Sequence, residues 1–285
     1  MSLRISDVDL DHAPADEPLG APPALAEARA RMVVFFGPKG GVGATTLACN
    51  VGGLIARAGR PAVLVDLDLQ LGTVPVSLNV RPERSLDELV EEAAAADRGP
   101  LRAPLDIHPA TGLRIAAQTR IEQLGKITVK RLPRLFDALG AAHSPLLVDG
   151  LRDFNDHAVA TMDLAHLVVI VVTQDVPAVR AGAQALRIFR RLGYRNDRLL
   201  LVVNRYHKGA PVGLDTIARG LGVPVGAVVH NDFPLIEQAL NRGELVVDIR
   251  PRSRPTRDLT RLAALVAGAP APPPPRGLLA RILNR

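Results

Sequence analysis

Cysteine, aromatic residues and long apolar runs are all scarce in this 285-residue chain, and each shortage removes a class of protein. The single cysteine, Cys49, cannot pair within the chain, so a disulfide framework is excluded and a reducing cytosol is expected. Two tyrosines, six phenylalanines and no tryptophan leave no aromatic platform for stacking nucleic-acid bases. No run is long enough to cross a bilayer and no apolar signal core opens the sequence, so cytoplasmic residence is expected. The seven histidines are scattered without ligand spacing, which argues against a zinc-type site. No internal repeat stands out.

What the chain does have is core-forming material. Hydrophobic residues make up 47%, enough for one α/β domain with tails. Continuous apolar runs at 31–36, 146–148, 167–172 and 199–203 are separated by stretches with helical periodicity. Strands of that kind must be covered on both faces, which predicts a doubly wound, mostly parallel sheet with helices on each side.

Residues 37–46 read Gly-Pro-Lys-Gly-Gly-Val-Gly-Ala-Thr-Thr, between a predicted strand and a predicted helix. That is the context of a phosphate-binding loop, in which main-chain N–H groups surround an anion and a helix N-terminus adds its dipole. Gly40, Gly41 and Gly43 let the backbone approach closely, and Thr45 stands where a magnesium-binding hydroxyl belongs. The general pattern places lysine just before that hydroxyl, and here the position is Ala44. Pro38 likewise occupies the pattern's first glycine. Loss of the lysine removes charge-assisted bonds of about 1.5–3 kcal/mol each, so binding should weaken moderately and any phosphoryl transfer should weaken more. Asp66 and Asp149 each close an apolar run, on the edge of the sheet where ligands bind. Strand-end aspartates are also common turn formers, and Asp163 reads as a solvated turn residue.

The Lys39-Gly40-Gly41-Val42-Gly43 spelling followed by Thr45 and Thr46 resembles the deviant Walker A motif of the MinD/ParA superfamily, apart from Ala44. The resemblance runs through most of the chain after residue 30, including residues 62–70, 112–120 and 146–149. Within the superfamily, the Gly-Gly-Val-Gly-Ala-Thr-Thr loop and the Asp66-Leu67-Asp68-Leu69-Gln70 run look most like the CpaE/TadZ branch, which localises Tad-type pili. Many members of that branch carry an N-terminal receiver-like domain, for which these 285 residues leave no room. The resemblance implies ATP and Mg2+ as ligands, with residues 40–46 on the phosphates and Thr45, Asp66 and Asp149 around the metal. It also implies that Asp68 positions the attacking water, that Asn204 and Arg205 lie near the base, and that Lys39 reaches across a nucleotide-sandwich homodimer. Turnover is expected to be slow or absent.

Three segments fall outside the expected nucleotide-binding domain at 31–267. Residues 1–30 read as a disordered acidic tail, and 268–275 as an extended Pro-rich spacer. At 276–285, Leu278, Leu279, Ile282 and Leu283 would share one helical face flanked by Arg281 and Arg285. That pattern suits an interfacial helix at the inner membrane surface, and it resembles the terminal targeting helix of MinD. Docking of the same face onto the domain or onto a pilus or secretion-machinery protein remains open. Two other roles stay open as well, MinD-like site determination for division or flagella and ParA-like DNA binding. The latter would use the net charge of +6 and arginines at 187, 190, 191, 250, 252, 254, 257 and 261. No base-reading motif accompanies those arginines.

Overall fold

Uninterrupted apolar stretches need cover on both faces, and the computed structural model, which describes residues 31–96, 99–102 and 104–268, supplies it with one eight-stranded sheet between two helical layers. The chain runs β1 (Met32–Phe36), α1 (Ala44–Arg57), β2 (Val63–Asp66), α2 (Val74–Ser77), α3 (Leu86–Ala95), β3 (Asp106–Ile107), β4 (Arg114–Ala116), α4 (Leu132–Gly140) and β5 (Leu146–Leu151). It continues through α5 (Asp156–Leu164), β6 (Leu167–Thr173), α6 (Val176–Arg191), β7 (Leu199–Tyr206), α7 (Leu214–Leu221), β8 (Val225–His230), α8 (Phe233–Arg242), α9 (Val246–Ile249) and α10 (Arg254–Ala267). The strand order is β3-β4-β2-β5-β1-β6-β7-β8. All neighbours pair in parallel except β3 and β4. The doubly wound, mostly parallel fold expected from the apolar runs is therefore present.

Strand periodicity divides the core in two. Met32, Val34 and Phe36 of β1 pack in one layer with Leu135 of α4, Met162 of α5 and Leu186 of α6. Val33 and Phe35 point the other way, toward Leu47 and Val51 of α1 and Leu262 of α10. Phe36 sits in a ring cluster with Phe154, Phe189 and Tyr194, with centroids 5.1–5.5 Å apart in tilted and edge-on arrangements. Burying each such ring contributes on the order of 2 kcal/mol.

This arrangement creates a crevice at one place. β1 and β5 are neighbours, yet α1 leaves β1 onto one face of the sheet while α5 leaves β5 onto the other. The loops after these strands diverge, which is the topological switch point where open α/β sheets bind ligands.

Within 112–120, β4 covers Arg114–Ala116, and beyond it Gln118 turns its amide oxygen onto the Ser85 hydroxyl (3.1 Å) and the Asp87 N–H (3.1 Å) at the start of α3. One local expectation changes. Asp163 is not a turn residue but belongs to the last turn of α5, where it accepts the Tyr194 hydroxyl. The acidic tail at 1–30, the spacer beyond Gly268 and the terminal segment with Leu278, Leu279, Arg281, Ile282, Leu283 and Arg285 lie outside the described residues. Among the described residues no helix is long and apolar enough to cross a membrane.

Candidate functional site

The glycine loop spans the crevice between Phe36 at the end of β1 and Ala44 at the start of α1. Its entry is tied to the neighbouring strand, since the Gly37 N–H donates to the Leu151 carbonyl at 3.5 Å. Gly41 and Gly43 adopt φ of 80° and 90°, left-handed values that an L side chain would strain. Gly43 is the N-cap of α1 and has no side chain to satisfy the first helical N–H groups, which face the concavity of the loop. The loop is also braced from behind. Val42 buries its side chain in the core and its carbonyl accepts the Asn204 Nδ2 at 2.8 Å, while a Cβ on Gly43 would overlap that same amide.

Carboxylates line the next two strands. Asp66 and Asp149 are paired in register on β2 and β5, and both are buried. Asp66 Oδ1 accepts the Asp68 N–H and Oδ2 accepts the Val74 N–H, each at 3.0 Å. Burial nevertheless holds Asp66 above the usual carboxylate range. Asp149 Oδ2 accepts the Thr45 hydroxyl at 2.6 Å, whereas Oδ1 is buried with no hydrogen-bond partner. Burial pushes Asp149 up to about 7 against the downward pull of the Thr45 bond, and nearby Asp66 adds to the rise. An orphaned, electron-rich oxygen beside a hydroxyl and a second carboxylate fits a hard, oxygen-seeking divalent cation such as magnesium. Among the described residues no group of three or more acidic, histidine or cysteine side chains is arranged to hold a metal, so waters and ligand oxygens would have to complete such a shell.

Two ion pairs flank the loop. On the β2 and β5 side, Arg152 Nη2 donates to Asp68 Oδ2 at 2.6 Å, and Asp68 Oδ1 accepts the Leu71 N–H at 3.3 Å. On the β6 side, Lys39 Nζ lies 3.9 Å from Asp175 Oδ1, and that oxygen caps α6 through the Ala178 N–H at 3.0 Å. Gly150 has φ of 91° and rests so close to the next strand exit that a Cβ would overlap the main chain of Leu67 and Asp68. Arg205 is exposed at φ of 53°, one residue beyond Asn204. Thr46 sits one turn before Asn50, whose Nδ2 donates to the Thr46 carbonyl (2.9 Å) while its Oδ1 accepts the Val246 N–H (2.9 Å). His207 and His230 are engaged locally, with the Gly209 N–H and with Asp258 respectively.

The fold thus gathers Lys39, residues 40–46, Asp66, Asp68, Asp149 and Asn204 at one end of the sheet. Sequence reasoning missed Arg152 and Asp175. An Asp before Val176-Pro177 is a recognisable N-cap signal, but nothing in the local sequence ties Arg152 to Asp68.

A strand, a glycine loop and a helix N-terminus at the switch point of a parallel sheet define a P-loop nucleotide-binding fold. The chain belongs to the CobQ/CobB/MinD/ParA nucleotide binding domain family, whose model matches residues 33–246. It is 25% identical over 251 residues to the septum site-determining protein MinD of Thermotoga maritima, covering 85% of this chain and 89% of that protein. It is likewise 25% identical over 269 residues to the antiactivator FleN of Pseudomonas aeruginosa, covering 90% and 92%. Among solved structures, MinD of Pyrococcus horikoshii complexed with Mg-ADP superposes with a TM-score of 0.71 at 21% identity, over 88% of this chain and 98% of that one.

Proposed function

We propose that this chain is an ATP-binding localisation protein that dimerises around MgATP and in that state positions a membrane-associated machine, as CpaE/TadZ proteins do for Tad-type pili. The observation that carries this reading is the loop itself: a glycine cradle over a helix N-terminus, with Thr45 joined to buried Asp149 beneath it. In this proposal the domain is 31–267, and residues 40–46 hold the phosphates with a deviant Walker A spelling that lacks the second lysine. Thr45, Asp66 and Asp149 hold the magnesium, directly or through water. Asp68 orients the attacking water, Lys39 crosses to the partner's phosphates, and Asn204 and Arg205 flank the nucleotide. ATP hydrolysis is slow or absent, because Ala44 stands where a loop lysine would stabilise the charge that grows in the transition state, and Lys39 replaces it only in part.

Attachment is assigned to the segment at 276–285, carried on the 268–275 spacer, so that the protein lies peripherally on the inner face of the membrane. One short helix binds weakly, and a dimer presenting two gains effective concentration. A second reading, MinD-like site determination, has comparable support in the MinD and FleN relatives. ParA-like DNA binding has less. Several of the arginines it would use are engaged elsewhere: Arg250 with Asp232, Arg257 with the Arg252 carbonyl, and Arg190 with the carbonyls that end α7.

The test is MgATP binding and sizing of the full chain beside Lys39→Ala. Wild type should bind MgATP and shift to a dimer, and Lys39→Ala should bind but remain monomeric. A wild-type chain with no affinity for magnesium-bound nucleoside triphosphate would refute the reading.

A further inference from the structure

Arg152, whose guanidinium is paired with Asp68, follows the Leu151 carbonyl that anchors the entry of a loop with Ala44 at the usual lysine position. We propose that Arg152 is the substitute cation, which leaves Asp68 and pairs with the terminal phosphate of MgATP bound in the same protomer. The inference rests on the nucleotide reading above and extends it to a residue that the loop motif does not contain.

Four observations support it. Arg152 directly follows Leu151, whose carbonyl accepts the first N–H of the glycine loop, so its main chain is fixed at the loop's edge. Its side chain is 56% exposed and sits on an acidic partner, so it can be withdrawn without emptying a packed core. A guanidinium carries five N–H donors in a planar fork, more than one carboxylate oxygen can use, and this geometry suits two phosphate oxygens. Its acidic partner is also held by the Leu71 N–H at 3.3 Å, so Asp68 keeps a hydrogen bond when the guanidinium leaves. Lys39 cannot duplicate this role from its own position, because it lies across β1 beside Asp175.

The assignment predicts a preference for triphosphate and an interchange with the missing lysine. MgATP and MgADP affinities would be measured by calorimetry for wild type, Arg152→Ala, Arg152→Lys, Ala44→Lys and the double variant Ala44→Lys/Arg152→Ala, with unfolding midpoints recorded for each. Loss of a charge-assisted pair should lower the MgATP affinity of Arg152→Ala by about tenfold or more, with a smaller loss for MgADP. Arg152→Lys should recover part of the loss, and Ala44→Lys should restore binding in the Arg152→Ala background. Equal losses for MgATP and MgADP, or failure of Ala44→Lys to rescue, would reduce Arg152 to a structural prop and overturn the inference. If wild type itself binds no MgATP, it is the underlying nucleotide reading that fails.

Discussion

The Thr45 hydroxyl donates a 2.6 Å hydrogen bond to Asp149 Oδ2, joining the first turn of α1 to the end of β5 across 104 residues of sequence. One carboxylate oxygen is thereby satisfied and the other is left buried without a partner, which gives the carboxyl a measurable electrostatic signature.

That signature is a pH-dependent cost. An unfolded aspartate ionises near 3.8, whereas burial holds folded Asp149 up to about 7. Between those values the folded chain keeps a proton that the unfolded chain has released, so stability falls as pH rises through the window and levels off above about 7. The full shift corresponds to an upper bound of about 4 kcal/mol. Asp149→Asn should therefore be more stable than wild type at pH 8, without nucleotide or divalent cation, and the gap should close as pH approaches 4. Urea unfolding at several pH values checks this, and a pH-independent gap would contradict it.

Gly43 and Asn204 should be energetically coupled. Gly43→Ala adds a Cβ at a left-handed φ, directly against the Asn204 amide, and is expected to cost about 1–3 kcal/mol. Asn204→Ala makes room for that Cβ, so the double variant should lose less than the sum of the single losses. Thermal unfolding of the four proteins measures the coupling, and strict additivity would show that the two residues do not press on each other.

Ala44→Lys should raise ATP turnover by an order of magnitude or more, because the restored ammonium stabilises developing charge on the phosphates. Steady-state phosphate release from matched preparations decides the matter. Identical rates would mean that the loop position does not limit the chemistry.

Removal of residues 276–285 should abolish flotation with anionic liposomes in MgATP while leaving nucleotide affinity unchanged. Flotation that persists in the truncated chain would move membrane attachment elsewhere.

Much of this architecture was legible in the sequence because it rests on local patterns. The runs at 32–36 and 167–172 are apolar at every position, and only strands buried on both faces need that. The loop could be read because its glycines, the flanking strand and the following helix are contiguous. What escaped depends on contacts between distant residues. Asn204 meets Val42 across 162 positions and Arg152 meets Asp68 across 84, so neither pairing leaves a periodic trace. The contacts of Gln118 with residues 85 and 87 are of the same long-range kind.

Gly150 has a mechanical consequence. With no side chain to keep the two strand exits apart, the turn after Asp149 bears directly on the backbone of Leu67 and Asp68. Any side chain at position 150 would have to push the two exits apart, and with them Asp68 and the turn that leads to Arg152.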